Sequence, residues 1–113
     1  MNDYLILKLS DKDLDIPFSN EKALTERANG SWVITPRKIG KTNRALLLFK
    51  GQILKEYSVG SVLIFDRDSR RTTFDMTPLE NSIYQGRRLR YPTANPSSIL
   101  SEKNMIFIDP EVV

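Results

Sequence analysis

Most of the side chains that could do chemistry in this sequence are cationic, and they concentrate in the middle of the chain. Residues 37–90 hold 12 Lys and Arg against 5 Asp and Glu, whereas residues 1–36 hold 4 against 6 and residues 91–113 hold 1 against 3. A basic stretch of this kind favours an anionic partner, with nucleic acid or a phosphate-bearing small ligand ahead of a membrane surface. A solvated basic face that keeps the protein in solution is the alternative.

Two short segments contain the cations that we select as candidates for binding such a partner. The first, residues 37–42, is a basic loop or single turn that leads directly into the apolar hairpin, whose first residue is Arg44. The second, residues 87–91, is the densest basic patch in the chain and ends in a tyrosine. The candidate ligand-binding residues are Arg37, Lys38, Lys41, Arg44, Arg87, Arg88, Arg90, Tyr91 and Trp32.

The aromatic candidates each have two interpretations. If the second basic segment is a strand, Arg88 and Arg90 share one face and Leu89 and Tyr91 share the other. Arginines beside a tyrosine suit a phosphate backbone with a stacked base, and an exposed sheet face is the alternative. Trp32, the only tryptophan, is expected in the core, with a stacking platform for a base as the second interpretation.

A P-loop is not expected, although the tripeptide Gly40-Lys41-Thr42 resembles the end of one. A P-loop needs another glycine five residues earlier, where this chain has Thr35, and it must open a helix, whereas this segment opens a strand. A charged turn at residues 66–71 offers three arginines, which could hold phosphates or pair with the two aspartates among them.

Common catalytic groups are missing from the chain, which has no Cys and no His. Their absence removes structural zinc, cysteine nucleophiles and triads with a histidine base. Asp66, Asp68, Asp75 and Glu80 could assemble a magnesium site for phosphodiester cleavage, but no motif spaces them for it. We therefore expect no catalytic residue, no metal site and no cofactor.

An apolar hairpin at residues 44–59 is the element around which the remaining chain is expected to pack. Its first strand, residues 45–49, is apolar on both faces, which is typical of a central strand covered on both sides. Gly51-Gln52 suits a two-residue type II′ turn. Residues 3–9 predict a further strand beside the hairpin.

Two short helices are predicted from capping signals. The first is capped by Ser19 or Asn20 and ends at Asn29-Gly30. The second begins at Thr77, where Pro78 and Glu80 complete a capping box, and ends at Gly86. Further strands are expected at residues 31–34, 72–74, 87–91 and 105–108, with a loop at 92–98.

These elements predict an α+β fold in a single compact domain spanning residues 1–113. The sheet is expected to be mostly antiparallel and twisted, or a partly closed barrel, with the two short helices packed on it. No apolar run reaches the ~20 residues of a membrane span, and the N-terminus lacks the features of a signal peptide. We expect a cytoplasmic protein with no membrane partner, in which the hairpin holds both basic segments on one side.

Several weak motifs follow one another in a familiar order. A helix end runs into a Gly-x-Trp strand at residues 24–34, an apolar strand ends in the turn Lys50-Gly51, and residues 94–96 read Ala-Asn-Pro. Over roughly residues 24–108 this order resembles a small accessory domain of bacterial and phage restriction-like and GIY-YIG-type nuclease proteins. The resemblance implies a module that accompanies a nuclease without being one, and it implies no catalytic residue.

The chain departs from that domain at two places. The domain usually has a tryptophan soon after the second hairpin strand, where this chain has no aromatic between Gly60 and Ile64. It also has a Phe-x-Gly segment, where Phe74 is followed by Asp75-Met76 here. If these positions line a ligand pocket in the family, the pocket differs in this chain.

Three functional hypotheses follow. The first is a non-enzymatic binding module for an anionic, phosphate-bearing partner, nucleic acid or nucleotide, of the restriction- or defence-associated kind. The second is a phage or mobile-element anti-defence protein that binds a host defence protein, or that sequesters a nucleotide signal between the subunits of a homo-oligomer. A compact pocket with two or more arginines and an aromatic would favour sequestration. The third and least favoured is a metal-dependent nuclease.

Overall fold

A computed structural model describes residues 2–9, 20–91 and 95–108 of the chain. The described elements are β1 (Asp3–Leu9), α1 (Glu21–Asn29), β2 (Trp32–Val33), α2 (Pro36–Ile39), β3 (Arg44–Phe49), β4 (Gln52–Val59), β5 (Ile64–Asp66), β6 (Arg71–Thr73), β7 (Met76–Pro78) and β8 (Ser97–Ser101), followed by a 3-10 turn at Glu102–Asn104.

A five-stranded sheet with the hairpin strand β3 at its centre organises the structure. Its order is β7-β4-β3-β1-β8, and a smaller sheet has the order β2-β6-β5. Only β1 and β3 pair in parallel, and every other described pair is antiparallel. The predicted α+β class is confirmed. Of the two predicted sheet forms the open one is found, because the described strands β7 and β8 end the large sheet as separate edges.

The large sheet is covered on both faces, as the pattern of β3 predicts. Ala45 and Leu47 point to the first face, where they pack with Leu24 of α1 and Ile39 of α2. Leu46 and Leu48 point to the second face, beneath a layer formed by residues 84–91 and 105–107. A central strand without a polar face thus separates two apolar layers, and the radius of gyration of 13.6 Å is close to the ~13 Å of a compact chain of this length.

Helix α1 begins and ends where its capping signals predict. The Asn20 side chain accepts a hydrogen bond from the backbone N–H of Ala23 at 3.1 Å, which satisfies one unpaired donor of the first turn. Leu24 and Ala28 face the core, and Gly30, at φ +111°, ends the helix. The indole N–H of Trp32 donates to the Ala28 carbonyl at 2.8 Å, which ties β2 to the last turn of α1.

The hairpin turn lies one residue earlier than predicted. Phe49 pairs with Gln52, so the loop is Lys50-Gly51, and positive φ angles of 50° and 82° at its two residues are typical of a type I′ turn rather than type II′. The register then shifts between Leu47 and Leu48 through a bulge in β4, because an extra residue there lets both halves of β4 direct their apolar side chains to covered faces.

The predicted helix from Thr77 to Gly86 was wrong. Thr77 pairs with Ser58 of β4 in strand β7, and the next residues form turns in which Asn81 has a φ of +61°. Tertiary contacts override the local capping signal, since strand pairing with β4 satisfies the backbone groups that a helix would otherwise satisfy. The second short helix is instead α2, within the predicted basic turn.

The C-terminal part also differs from its prediction. Residues 97–98, predicted as loop, begin β8, which pairs with β1 at the sheet edge. The strand predicted at residues 105–108 is reduced to a single bridge between Phe107 and Leu89. None of the helices in the described ranges is long and apolar enough to cross a membrane.

Candidate nucleic-acid interface

Residues 87–90 and 105–108 form a short two-stranded ribbon. Leu89 and Phe107 are the bridged pair, and hydrogen bonds flank it on both sides. The N–H of Arg90 donates to the Ile106 carbonyl at 2.8 Å, and the N–H of Ile108 donates to the Arg88 carbonyl at 2.9 Å. The two segments therefore run antiparallel and share one alternation of side chains.

The ribbon packs against the β3–β4 turn. The N–H of Ile53 donates to the Arg87 carbonyl and the N–H of Leu89 donates to the Gly51 carbonyl, both at 2.8 Å. The guanidinium of Arg88 donates to the Lys50 carbonyl at 3.2 Å. These bonds bring Lys50 of the turn next to the ribbon, although 38 residues separate it from Arg88.

Burial of the bridged pair decides which side chains the ribbon exposes. Leu89 is 1% exposed, and Phe107 packs against the same core layer. Alternate residues of a strand point to opposite faces, so Arg88 and Arg90 share one face, as predicted. That face points to solvent, and both arginines are exposed. The exposed face also includes two isoleucines with 54% and 53% of their surface accessible. We define the ribbon surface as Arg88, Arg90, Ile106 and Ile108. The Lys50 ammonium is not part of it, because it lies 5.3 Å from the centre of the Phe49 ring, which packs with the first-face layer.

Arg87 has a different role from its neighbours. Its guanidinium carbon lies 3.8 Å above the centre of the Phe107 ring, which is a close cation–π contact. Phe107 in turn stacks on Tyr84, with ring centres 5.5 Å apart and an interplanar angle of 3°. Arg87 therefore holds one edge of the ribbon on the core and is half-buried.

Tyr91 lies on the inner side of the ribbon, as the alternation predicts. Its hydroxyl donates to the Asn95 carbonyl at 2.5 Å and lies 3.1 Å from the Ser98 hydroxyl. The Lys8 ammonium lies 5.9 Å from the ring centre on one face. Burial raises the pKa of the Tyr91 phenol, and the Ser98 contact partly offsets that rise. Tyr91 is thus anchored at its hydroxyl and half-buried.

The first basic segment surrounds α2. Thr35 caps this helical turn by accepting a hydrogen bond from the Lys38 N–H at 3.4 Å, and Ile39 is buried in the first-face layer. Arg37, Lys38 and Lys41 are exposed as a result. The last two also line a depression of about 370 Å³ beside the start of β1.

Arg44 is separated from these cations. It belongs to β3 and approaches Glu56 of β4, with 3.8 Å between Nη1 and Oε2. Glu56 is itself 8% exposed and accepts a hydrogen bond from the Ser82 hydroxyl at 2.5 Å. Arg44 thus compensates a buried carboxylate on the second face, which gives it a structural role.

The expectation that the hairpin holds both basic segments on one side was wrong. Ile39 fixes the α2 segment to the first face and Leu89 fixes the ribbon to the second. The segments also lie at opposite ends of the hairpin, since Arg44 begins β3 whereas Lys50 follows its last residue. The advance of five residues along the strand from Arg44 to Phe49 corresponds to roughly 17 Å. The two segments do not form one patch.

Trp32 is a core residue, the first of its two interpretations. It is 7% exposed and lies in the first-face layer, and its indole N–H is bonded to Ala28. A stacking platform needs an open ring face, so Trp32 is not available to a base.

Sequence reasoning overlooked part of the ribbon surface. Ile106 and Ile108 were assigned to a strand without a partner, because their pairing with residues 88–90 is non-local. Alternation within residues 105–108 was the available signal, since Phe107 must turn inward if its two neighbours turn outward.

The acidic residues considered for a metal site are not brought together. Asp66 accepts hydrogen bonds from the Asp68 N–H at 3.0 Å and the Ser69 hydroxyl at 2.9 Å, and these bonds lower the pKa of its carboxyl. In the described ranges no three Asp or Glu side chains form a group that could hold a metal ion. The acids of this turn stabilise the turn itself.

No protein-family model, curated protein or solved structure matches this chain. The resemblance to an accessory domain of nuclease proteins therefore stays a prediction.

Proposed function

We propose that this protein is a non-enzymatic module that binds the phosphate backbone of nucleic acid through the ribbon surface. The observation that carries the proposal is the outward alternation of Arg88 and Arg90 on a ribbon whose other side, at Leu89, is buried. Phosphate contacts from Lys and Arg supply affinity and position without reading sequence. A cytoplasmic location and a setting beside a restriction-type nuclease belong to the same proposal.

The spacing of the cations supports a polymer ahead of a single nucleotide. Two residues along a strand advance by about 6.7 Å, which equals roughly two 3.4 Å steps along one strand of a duplex. Arg88 and Arg90 therefore match phosphates two steps apart on one backbone, whereas a lone nucleotide would require cations that converge on one point.

The two isoleucines supply the apolar part of the surface. Ile108 lies across the ribbon from Arg88 and Ile106 lies across from Arg90, as the two flanking hydrogen bonds require. Apolar side chains beside arginines suit contact with sugars and base edges while the guanidinium groups hold the phosphates. A simple solvated face has no need for exposed isoleucine, and this pairing favours a binding surface.

The proposal is tested by measuring the affinity of short labelled single-stranded DNA, duplex DNA and RNA by fluorescence anisotropy at about 50 mM salt, where backbone binding is strong. The variant Arg88→Gln/Arg90→Gln removes two charges from the ribbon surface. The matched control Arg37→Gln/Lys38→Gln removes two equally exposed charges from α2, on the opposite face. Wild type should bind, the ribbon variant should bind much more weakly, and the control should resemble wild type.

Two results would contradict the proposal. Absence of binding by wild type at low salt would remove the nucleic-acid function. Equal weakening by the two double variants would show that net charge, rather than the ribbon surface, determines binding. Circular dichroism of each variant verifies that the fold is retained.

A further inference from the structure

A basic cavity lies on the side of the molecule where β2, β6 and the end of β1 approach one another. Its volume is about 190 Å³, and its lining includes Lys8, Arg27 and Arg71 together with Ser31 and Trp32. The described lining contains no acidic residue. The cations come from three elements that are far apart in the sequence, so no local motif marks the site.

Two of these cations have no acidic partner in the described part of the chain. Arg71 donates one hydrogen bond to the Ser31 carbonyl at 3.3 Å and forms no ion pair there. Lys8 likewise forms no ion pair with a described acid, but its ammonium lies over the Tyr91 ring on the second face, because Leu7 and Leu9 of the same strand point to the first face. Asp66 is opposite Arg71 in the β5–β6 ladder, but its carboxylate accepts hydrogen bonds from the turn that follows it.

We propose that this cavity binds a single phosphate monoester group, with the rest of the ligand outside. Arg71 and Arg27 bring like charges to one cavity whose described lining has no acid, and a phosphate dianion relieves their repulsion. The planar fork of Arg71 has donors left after its bond to Ser31, and such forks match phosphate oxygens in pairs. The exposed Ser31 hydroxyl adds a neutral donor.

The size of the cavity limits the ligand. Pockets that enclose drug-sized molecules measure roughly 300–1,000 Å³, so about 190 Å³ accommodates the phosphate and leaves the remainder in solvent. Because Trp32 is almost fully buried, it forms an apolar wall rather than a stacking platform. A terminal phosphate of a nucleic-acid strand and a free phosphate or nucleoside monophosphate share this chemistry. The site is separate from the ribbon surface and does not depend on its function.

Trp32 provides the readout, because it is the only tryptophan and it lines the cavity. Intrinsic fluorescence is titrated with inorganic phosphate while sodium chloride is adjusted to hold ionic strength constant. We expect a saturable change with phosphate and none with chloride. Arg71→Gln should weaken phosphate binding by about tenfold or more, as the loss of a charge-assisted contact implies. Arg67→Gln removes an exposed charge from the neighbouring turn and should leave binding unchanged.

Further arms identify the source of the phosphate and keep the proposal falsifiable. Arg71→Lys, which keeps the charge and loses the planar fork, is the second cavity variant if Arg71→Gln does not fold. An oligonucleotide with a 5′-phosphate that binds more tightly than its 5′-hydroxyl counterpart would assign the site to a strand end, and equal binding of the two with retained phosphate binding would assign it to a small ligand. Arg88→Gln/Arg90→Gln should leave phosphate binding intact, which separates this site from the ribbon surface. No saturable response to phosphate, or equal loss in Arg71→Gln and Arg67→Gln, would overturn the proposal.

Discussion

The buried hydroxyl of Tyr57 gives a stability prediction with an unusual sign. Tyr57 is fully buried in the first-face layer, and its hydroxyl has no hydrogen-bond partner among the described residues. The adjacent Thr25 hydroxyl donates to the Glu21 carbonyl at 2.8 Å instead. An unsatisfied buried polar group costs roughly 1–3 kcal/mol. Tyr57→Phe removes that group and keeps the ring.

We expect Tyr57→Phe to increase the free energy of unfolding by about 1 kcal/mol at neutral pH, taking the lower end of that cost because loss of the oxygen leaves a small void. For a domain of this length, about 1 kcal/mol raises the melting temperature by roughly 4 °C. Urea unfolding followed by circular dichroism measures the difference. The matched control is Tyr84→Phe, whose lost hydroxyl donates to Glu102 at 3.0 Å, and it should destabilise by about 1–2 kcal/mol.

The same substitution predicts a pH dependence. Burial raises the pKa of the Tyr57 phenol, so the folded state keeps the proton above pH ~10 whereas the unfolded state loses it. The stability contributed by this group is complete below that pH and falls by about 1.4 kcal/mol per pH unit above it. Phenylalanine does not titrate, so the advantage of Tyr57→Phe should grow between about pH 10 and 11. A Tyr57→Phe variant less stable than wild type at neutral pH would refute the reasoning.

Three further substitutions test the fold. Leu47→Ala, in the central strand at 0% exposure, should lower the free energy of unfolding by about 2–5 kcal/mol in urea titrations; a loss below ~1 kcal/mol would place the core elsewhere. Asn20→Ala removes the cap of α1 and should lower the free energy of unfolding by about 1 kcal/mol in the same assay. An unchanged urea midpoint would contradict the assignment of the cap. Lys50→Asn suits the positive φ of the type I′ turn, so the melting temperature should hold or rise; a clear loss of stability would contradict the turn assignment.

Local patterns predicted those parts of the fold in which short-range physics decides the outcome. The cap at Asn20 and the stop at Gly30 act within one helix, and both were found. The apolar pattern of β3 predicted a strand covered on both faces, and β3 is central. The predicted alternation of Arg88 and Leu89 was also found, because one buried leucine is enough to orient the segment.

Predictions failed where two segments compete for the same partner. The capping box at Thr77 predicts a helix when it is considered alone, but the neighbouring edge of β4 offers Thr77 a partner in Ser58. Glu56 then stabilises the following turn through Ser82. A short window of sequence around Thr77 does not include its partner strand β4, since about 20 residues separate the two segments. The pairing of strands also depends on tertiary context.

The placement of the basic residues was the least predictable feature. The number of charges in a segment does not predict on which face of the sheet the segment lies. Ile39 and Leu89 determine it, because each packs into a different core layer. The basic cavity is a stronger example, because Arg71 and Ser31 are 40 residues apart. Charge clusters built from several elements become visible only after the topology is known.

The salt dependence of binding tests the ribbon surface most directly. If Arg88 and Arg90 each neutralise one phosphate, the slope of log affinity against log salt is about −1.8 for duplex DNA, and affinity falls roughly 12-fold between about 50 and 200 mM salt. Arg88→Gln/Arg90→Gln should reduce the slope to nearly zero, so that affinity changes little over the same range. A slope that stays near the wild-type value in this variant would contradict the assignment of the ribbon surface as the nucleic-acid interface.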